Sequence, residues 1–214
     1  MKKRYIFGSS GFAKEVFFLL EEIYNEDMSF YGFIDISDNK QFVQIGTKSY
    51  PIITESSFET IVAQKNEEIE LYIGIASPVI IKKIAIKFKN FTFPNLIHNS
   101  FIGQQVSIKM GVGNIITAGC IFTCCISLGS FNIFNTNTAI GHDSTIGSYN
   151  VFLPRTQISG FVQIGDNNIF GMNSGVLQGK KVGNQNKIGA YSFVISNVKD
   201  KTNLFGIPAT KFEF

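Results

Sequence analysis

The chain has 214 residues, 44% of them apolar and 16% charged, with 19 basic against 16 acidic side chains. That length accommodates one or two domains, and the near-balanced, scattered charge offers no basic face for a nucleic acid. No apolar run is long enough to span a membrane, Met1-Lys2-Lys3-Arg4 leads into too short an apolar run for a secretion signal, and the crowded cysteines Cys120, Cys124 and Cys125 make no disulfide scaffold. The expectation is a soluble, cytoplasmic protein.

The first ninety residues read as a small α/β unit. Tyr5-Ile6-Phe7 is a short apolar run that meets Gly8-Ser9-Ser10-Gly11, and a helix is expected over Lys14 to Glu22, with Val16, Leu19, Leu20 and Ile23 at helical spacing. Strand, glycine turn and helix is the layout that points backbone N–H groups at a phosphate. The full dinucleotide fingerprint is missing, because its third position is Ala13. Asp35, after Phe30-Tyr31-Gly32-Phe33-Ile34, stands roughly where a ribose-binding acid would be. The competing reading is a tight turn and a surface acid.

Further on, Ser56 or Ser57 could cap a helix through Ile61, Val62 and Ala63. Ile69 to Ala76 reads as another strand, and Pro78 opens a helix through Val79, Ile80, Ile84, Ala85 and Phe88. The unit would contain three to five parallel strands, with its boundary near Pro94. It is too short for a two-halved dinucleotide domain. The repeat-bearing remainder of the chain is an implausible catalytic domain for a dehydrogenase, so an oxidoreductase is set aside.

From Ile116 to Val194 an apolar residue recurs at every sixth position, through Phe122, Leu128, Phe134, Ile140, Ile146, Phe152, Ile158, Ile164, Phe170, Val176, Val182 and Ile188. A period of six is neither helical nor that of a simple strand, and reads as a solenoid of short parallel strands. Three six-residue sides make a coil of 18 residues that climbs about 4.8 Å. The sixth-position residues would stack inward, and the glycines beside them (Gly129, Gly141, Gly147, Gly165, Gly171, Gly183 and Gly189) would take the backbone angles of the corners. The spacing begins at Ile102 and Ile108 and slips by two around Lys109 to Gly113, which marks an irregular first coil.

Of the two histidines, His98 lies at the domain junction. His142 lies two residues past an inward Ile and should point outward near a corner. Asp143 beside it can orient the imidazole, and Gly160, one coil later, brings a backbone N–H one rung away. An outward base, an orienting acid and a nearby amide suit acyl transfer; the alternative is an ordinary exposed histidine. Two histidines cannot build a three-imidazole zinc site, so no metal is expected. Cys124, one coil before His142, could lie near the same groove and is a minor candidate nucleophile.

With Leu204-Phe205-Gly206-Ile207-Pro208-Ala209 at its end, nearly the whole chain resembles the bacterial hexapeptide-repeat sugar acyltransferases that carry an N-terminal nucleotide-binding domain. These are the sialic-acid O-acetyltransferase-like and UDP-4-amino-sugar N-acetyltransferase-like proteins. The resemblance implies a small Rossmann-like α/β domain over 1–93 that holds a nucleotide sugar, then a left-handed parallel β-helix acyltransferase domain over 94–214 with a short tail. It implies a homotrimer with active sites between neighbouring prisms and acetyl-CoA as acyl donor. His142 and Asp143 match the catalytic pair, Gly160 the amide that meets the thioester oxygen, and Met172 and Ala190 the pantetheine-lining positions. Ser9, Ser10, Gly11 and Asp35 would meet the nucleotide of an amino-sugar or sugar-alcohol acceptor, and Lys180, Lys181, Lys187, Lys199, Lys201 and Lys211 offer charge for coenzyme phosphates. Two positions depart from the family: Val151 stands where relatives often have a second histidine, and Gly11-Phe12-Ala13 stands for Gly-His-Gly. The rivals are a non-catalytic trimeric binding or scaffold protein and a simple-sugar or serine O-acetyltransferase.

Overall fold

The computed structural model describes residues 2–35, 41–63, 68–103 and 105–212. They fall into two compact units, Met1–Ala76 with Ile84–Pro94, and Ser77–Lys83 with Asn95–Phe214.

The first unit is an α/β structure. Its elements are β1 (Lys3–Phe7), α1 (Gly11–Tyr24), β2 (Phe30–Asp35), β3 (Phe42–Ile45), β4 (Lys48–Thr54), α2 (Glu55–Ala63), β5 (Ile69–Ile73) and part of α3 (Pro78–Lys87), which straddles both units. The strand order is β3-β4-β2-β1-β5. Four of these strands run parallel, whereas β3 pairs antiparallel with β4 through a hairpin at Gly46. The hairpin is an addition to the all-parallel unit expected from the sequence. A second correction concerns α2: the Ser57 N–H donates to the Thr54 hydroxyl at 3.1 Å, so Thr54 caps the helix rather than Ser56 or Ser57.

Parallel strands covered on both faces are apolar throughout, as Ile6, Phe7, Leu71, Tyr72 and Ile73 show by their burial. The exception on β5 is Glu70, which is buried beside Arg4. The Arg4 Nε donates to its carboxylate at 2.9 Å, Lys2 Nζ lies 3.0 Å away and the Tyr72 hydroxyl donates at 3.2 Å. Burial alone would raise the Glu70 pKa, but the Lys2 hydrogen bond and the Arg4 charge outweigh it and hold the carboxyl below its usual range.

The second unit is a parallel β-helix. Strands of two or three residues pair with the strand one coil away, as in Ile121↔Ala139, Ala139↔Gln157, Gln157↔Gly175 and Gly175↔Phe193. Three sheets result, consistent with the left-handed hexapeptide solenoid expected from the resemblance. Every sixth-position residue from Ile116 to Val194 is buried. Within that column Phe134, Phe152 and Phe170 stack with successive ring centroids 4.8 Å apart.

The corners differ from expectation. The left-handed backbone angle falls three residues past the inward side chains from Met110 to Ile188, where φ runs from 55° to 73° at Gly113, Gly119, Cys125, Phe131, Asn137, Asp143, Tyr149, Arg155, Phe161, Asn167, Asn173, Gly179, Gln185 and Tyr191. The glycines directly after the inward residues do not have positive φ. They are small because the next coil passes too close: a Cβ on Gly141 would lie 2.4 Å from the Gly160 nitrogen, and one on Gly165 would lie 2.9 Å from the Gly183 oxygen. The first coil is corrected as well. Ile97, Gly103 and Met110 pair with Ile116, Phe122 and Leu128, so one extra residue sits between Gly103 and Met110 and the register is regular from Met110 onward. Ile102 faces outward and is largely exposed.

The structure adds a polar column that the apolar period does not reveal. Asn114, Asn132, Asn150, Asn168 and Asn186 are fully buried and lie 18 residues apart. Each side-chain oxygen accepts from the backbone N–H one coil on, at 2.8–2.9 Å, the last from Thr202. A corner turned inside the prism leaves amides that the strands cannot satisfy, and the asparagine ladder satisfies them.

Candidate active site

The corner that follows the Ile140 face carries Cys124-Cys125, His142-Asp143, Gly160-Phe161 and Gln178-Gly179 on successive coils. These rungs are tied by backbone hydrogen bonds: Asp143 N–H to the Cys124 carbonyl (3.1 Å), Phe161 N–H to the His142 carbonyl (2.8 Å) and Gly179 N–H to the Gly160 carbonyl (3.0 Å). The fold therefore brings His142, Asp143 and Gly160 together, as their spacing indicates.

Asp143 has φ 58°, and its Oδ2 lies 2.8 Å from Nδ1 of His142. A carboxylate accepts, so Nδ1 carries a proton, and in the neutral ring the lone pair is on Nε2. Both side chains are a little over two-fifths exposed, at 44% and 43%. The ring leans over the neighbouring coil, where a Cβ on Gly160 would come within 2.7 Å of Nε2 and 2.8 Å of Cε1. No acceptor among the described residues takes the N–H of the buried Gly160. At the equivalent position of another corner the amides of Ser130, Ser148, Asp166 and Asn184 are each capped by a side-chain oxygen one coil on. An imidazole with a free ring nitrogen beside a free amide can remove a proton and receive negative charge.

Cys124 does not fit a nucleophile. Burial first, then the neighbouring Cys125 thiol and the Asp143 charge, push its pKa up, away from the reactive thiolate.

Met172 and Ala190 lie one above the other at a different corner, with Tyr191 N–H donating to the Met172 carbonyl at 2.9 Å. The single chain thus does not bring them to His142. Val151, where the resemblance leads one to expect a second histidine, is fully buried. Among the basic residues of the last coils, Lys199 and Lys211 line one cavity with Ser196, Asn197 and Thr202, and Lys201 and Lys211 flank a second with Phe212. Among the described residues no three His, Cys, Asp or Glu side chains gather around a metal position, and no helix is long and apolar enough to cross a membrane.

In the first unit, Ser9 donates its hydroxyl to Asp35, so the turn and the acid meet. Gly8, with φ 98°, makes the turn, and a Cβ there would strike Ile75 at 2.6 Å. Gly11 begins α1 with open space where its side chain would be, and the first turn of the helix carries no acid. Ala13 packs against Gly74, whose Cβ would lie 2.6 Å from the Ala13 Cα. The smallness needed for close helix–strand approach is thus shared between two elements.

No protein-family model and no curated protein matches the chain. Solved structures do. Perosamine N-acetyltransferase (PerB) of Caulobacter crescentus, in complex with CoA and GDP-perosamine, superposes with a TM-score of 0.87 at 22% identity, over 99% of this chain and 97% of that one. The acetyltransferase domain of PglB from Neisseria gonorrhoeae, in complex with acetyl coenzyme A, gives 0.85 at 20% identity over 98% of each chain. WeeI of Acinetobacter baumannii gives 0.86 at 20% identity, over 99% of this chain and 100% of that one. At these identities the likeness establishes a shared fold.

Proposed function

We propose that this protein transfers an acetyl group from acetyl-CoA to an amine of a nucleotide-linked sugar, with His142 as general base. The observation that carries the reading is the His142 imidazole, held at Nδ1 by Asp143 with Nε2 over the bare Cα of Gly160, whose amide meets no acceptor among the described residues. Support comes from the neighbours of the same fold, one of which binds CoA and GDP-perosamine and another acetyl coenzyme A.

Acetyl-CoA supplies the activated acyl group as a thioester. The Nε2 of His142 takes the proton from the attacking amine, Asp143 stabilises the imidazolium that forms, and the Gly160 N–H receives charge developing on the thioester oxygen. The proton then passes from Nε2 to the departing sulfur. Transfer is direct, without Cys124. The domain over 1–93 holds the nucleotide, with its phosphates at the open N-terminus of α1 near Ser9, Ser10 and Gly11 and its ribose near Asp35. The domain over 94–214 performs the transfer. Three copies assemble side by side, so that Met172 and Ala190 of one prism line the pantetheine arm that reaches a neighbour's His142. The cytoplasm, where acetyl-CoA and nucleotide sugars are available, is the expected compartment.

The test is release of free CoA from acetyl-CoA with a panel of UDP-, GDP- and CMP-linked amino sugars and sugar alcohols. Turnover with at least one acceptor is expected, and His142→Ala should lower kcat by about a hundredfold or more. Undiminished turnover in the variant would remove the base. Neither turnover nor acetyl-CoA binding would favour a scaffold protein instead.

A further inference from the structure

The His142–Asp143 contact is exposed, and water competes for exposed hydrogen bonds, so Asp143 alone is a weak restraint on the ring. The imidazole also meets Phe161, whose ring lies edge-on at 5.0 Å between centroids and 88° between planes. Phe161 is poorly placed for stability. It is 52% exposed and has φ 57°, a backbone state that bulky side chains disfavour. Asn137, Asn167 and Asn173 fill the same turn position with a residue suited to it. Phe131 and Tyr149, also in this state, stack on each other at 5.7 Å, whereas Phe161 is spent on the histidine.

We propose that Phe161 is a positioning residue, which holds the His142 ring so that Nδ1 stays on Asp143 and Nε2 stays beside Gly160. The inference rests on His142 being the base. The rung that supplies the free amide also supplies the stop for the ring: Gly160 leaves the space that the imidazole enters, and Phe161 closes its side. Because Phe161 N–H is bonded to the His142 carbonyl, the two residues keep their register whatever the side chains do. Without the aromatic ring, the imidazole can rotate away from Asp143 and sample the other tautomer.

The chain carries two imidazoles of opposite type, which makes this readable by 15N spectroscopy of histidine-labelled protein. His98 accepts the Ser100 N–H at Nδ1, so its proton is on Nε2, while the His142 proton is on Nδ1. In Phe161→Ala the His142 nitrogen shifts should move toward the tautomer average of free histidine, with those of His98 unchanged. Phe161→Tyr, which keeps the ring, should keep the wild-type shifts. With the best acceptor, Phe161→Ala should lower kcat about tenfold with KM for acetyl-CoA within about twofold, as expected for misorientation of a reacting group. Unchanged His142 shifts in Phe161→Ala would overturn the proposal, as would an effect on KM alone, which would make Phe161 a binding wall. Displaced shifts in a protein whose turnover survives His142→Ala would refute the base assignment and leave the positioning contact standing.

Discussion

The Nε2 of His142 lies 2.7 Å from the point where a side chain on Gly160 would begin. The two residues are 18 positions apart, and the glycine's missing methyl is the space in which the base works. Gly160→Ala should therefore push the ring aside and lower kcat on the order of a hundredfold, in line with misplacement by about 1 Å. Gly160 has no positive φ, so the melting temperature should change little. Steady-state kinetics beside calorimetry separates the two effects.

Cys124 should be dispensable. Its pKa is pushed up by burial, by Cys125 and by the nearby Asp143 carboxylate, which disfavours the thiolate. Cys124→Ser should retain wild-type turnover, and alkylation by iodoacetamide at neutral pH should reach Cys125 before Cys124, as peptide mapping would show. A dead Cys124→Ser variant with intact fold would reopen a covalent route.

The Arg4–Glu70 pair gives the first unit a pH-dependent stability. The folded Glu70 pKa lies below its ordinary value of 4.5, so the stabilisation is complete above that value and is lost as pH falls through the folded pKa. Glu70→Gln should lose stability near neutral pH by roughly 1–3 kcal/mol, because it removes the carboxylate that accepts from the buried Arg4 Nε. The gap to wild type should narrow below pH 4.5. Urea unfolding followed on both sides of that value gives the two stabilities.

Asn150 lies at the middle of the internal ladder. Its side chain donates to Asn132 at 3.0 Å and to the Gly165 carbonyl at 2.9 Å, and it accepts the Asn168 N–H at 2.9 Å. Asn150→Ala takes the partners from the Asn168 N–H and the Gly165 carbonyl on the following coil, at about 1–3 kcal/mol for each. The loss should appear as a lower urea midpoint. Asn137→Ala, at a corner in the left-handed region, should cost less.

How legible each feature is in the sequence depends on the kind of signal it leaves. The inward series from Ile116 to Val194 is an unbroken apolar period, and the stacking of Phe134 on Phe152 follows from it directly. The nearness of His142 and Gly160 comes from the same arithmetic, since any two residues 18 apart share a corner. The corner glycines are ambiguous. A glycine can relieve strain in φ or make room for a neighbour, and sequence does not distinguish the two; the φ values at Asp143 and Phe161 do. The buried asparagines are hidden because polar residues outside an apolar period look like surface, although their own spacing is equally regular. The irregularity between Gly103 and Met110 is displaced in the sequence pattern because Ile102 and Ile108 are apolar without both being inward. In the first unit, Ser9 and Asp35 stand out by their positions, and their contact depends on β1 and β2 being parallel neighbours.

The stacked construction makes chain length, more than residue identity, the quantity under constraint between Asp143 and Gly160. A substitution on one rung alters one contact and leaves every other rung aligned. One residue inserted between Asp143 and Gly160 would instead carry Gly160 out from beneath the imidazole unless a corner absorbed it, as the first coil absorbs the extra residue between Gly103 and Met110. A whole extra coil inserted after Val176 would leave the histidine corner untouched and merely lengthen the prism. A fold built this way tolerates wide differences in sequence: PerB and WeeI share it with this chain at about one-fifth identity.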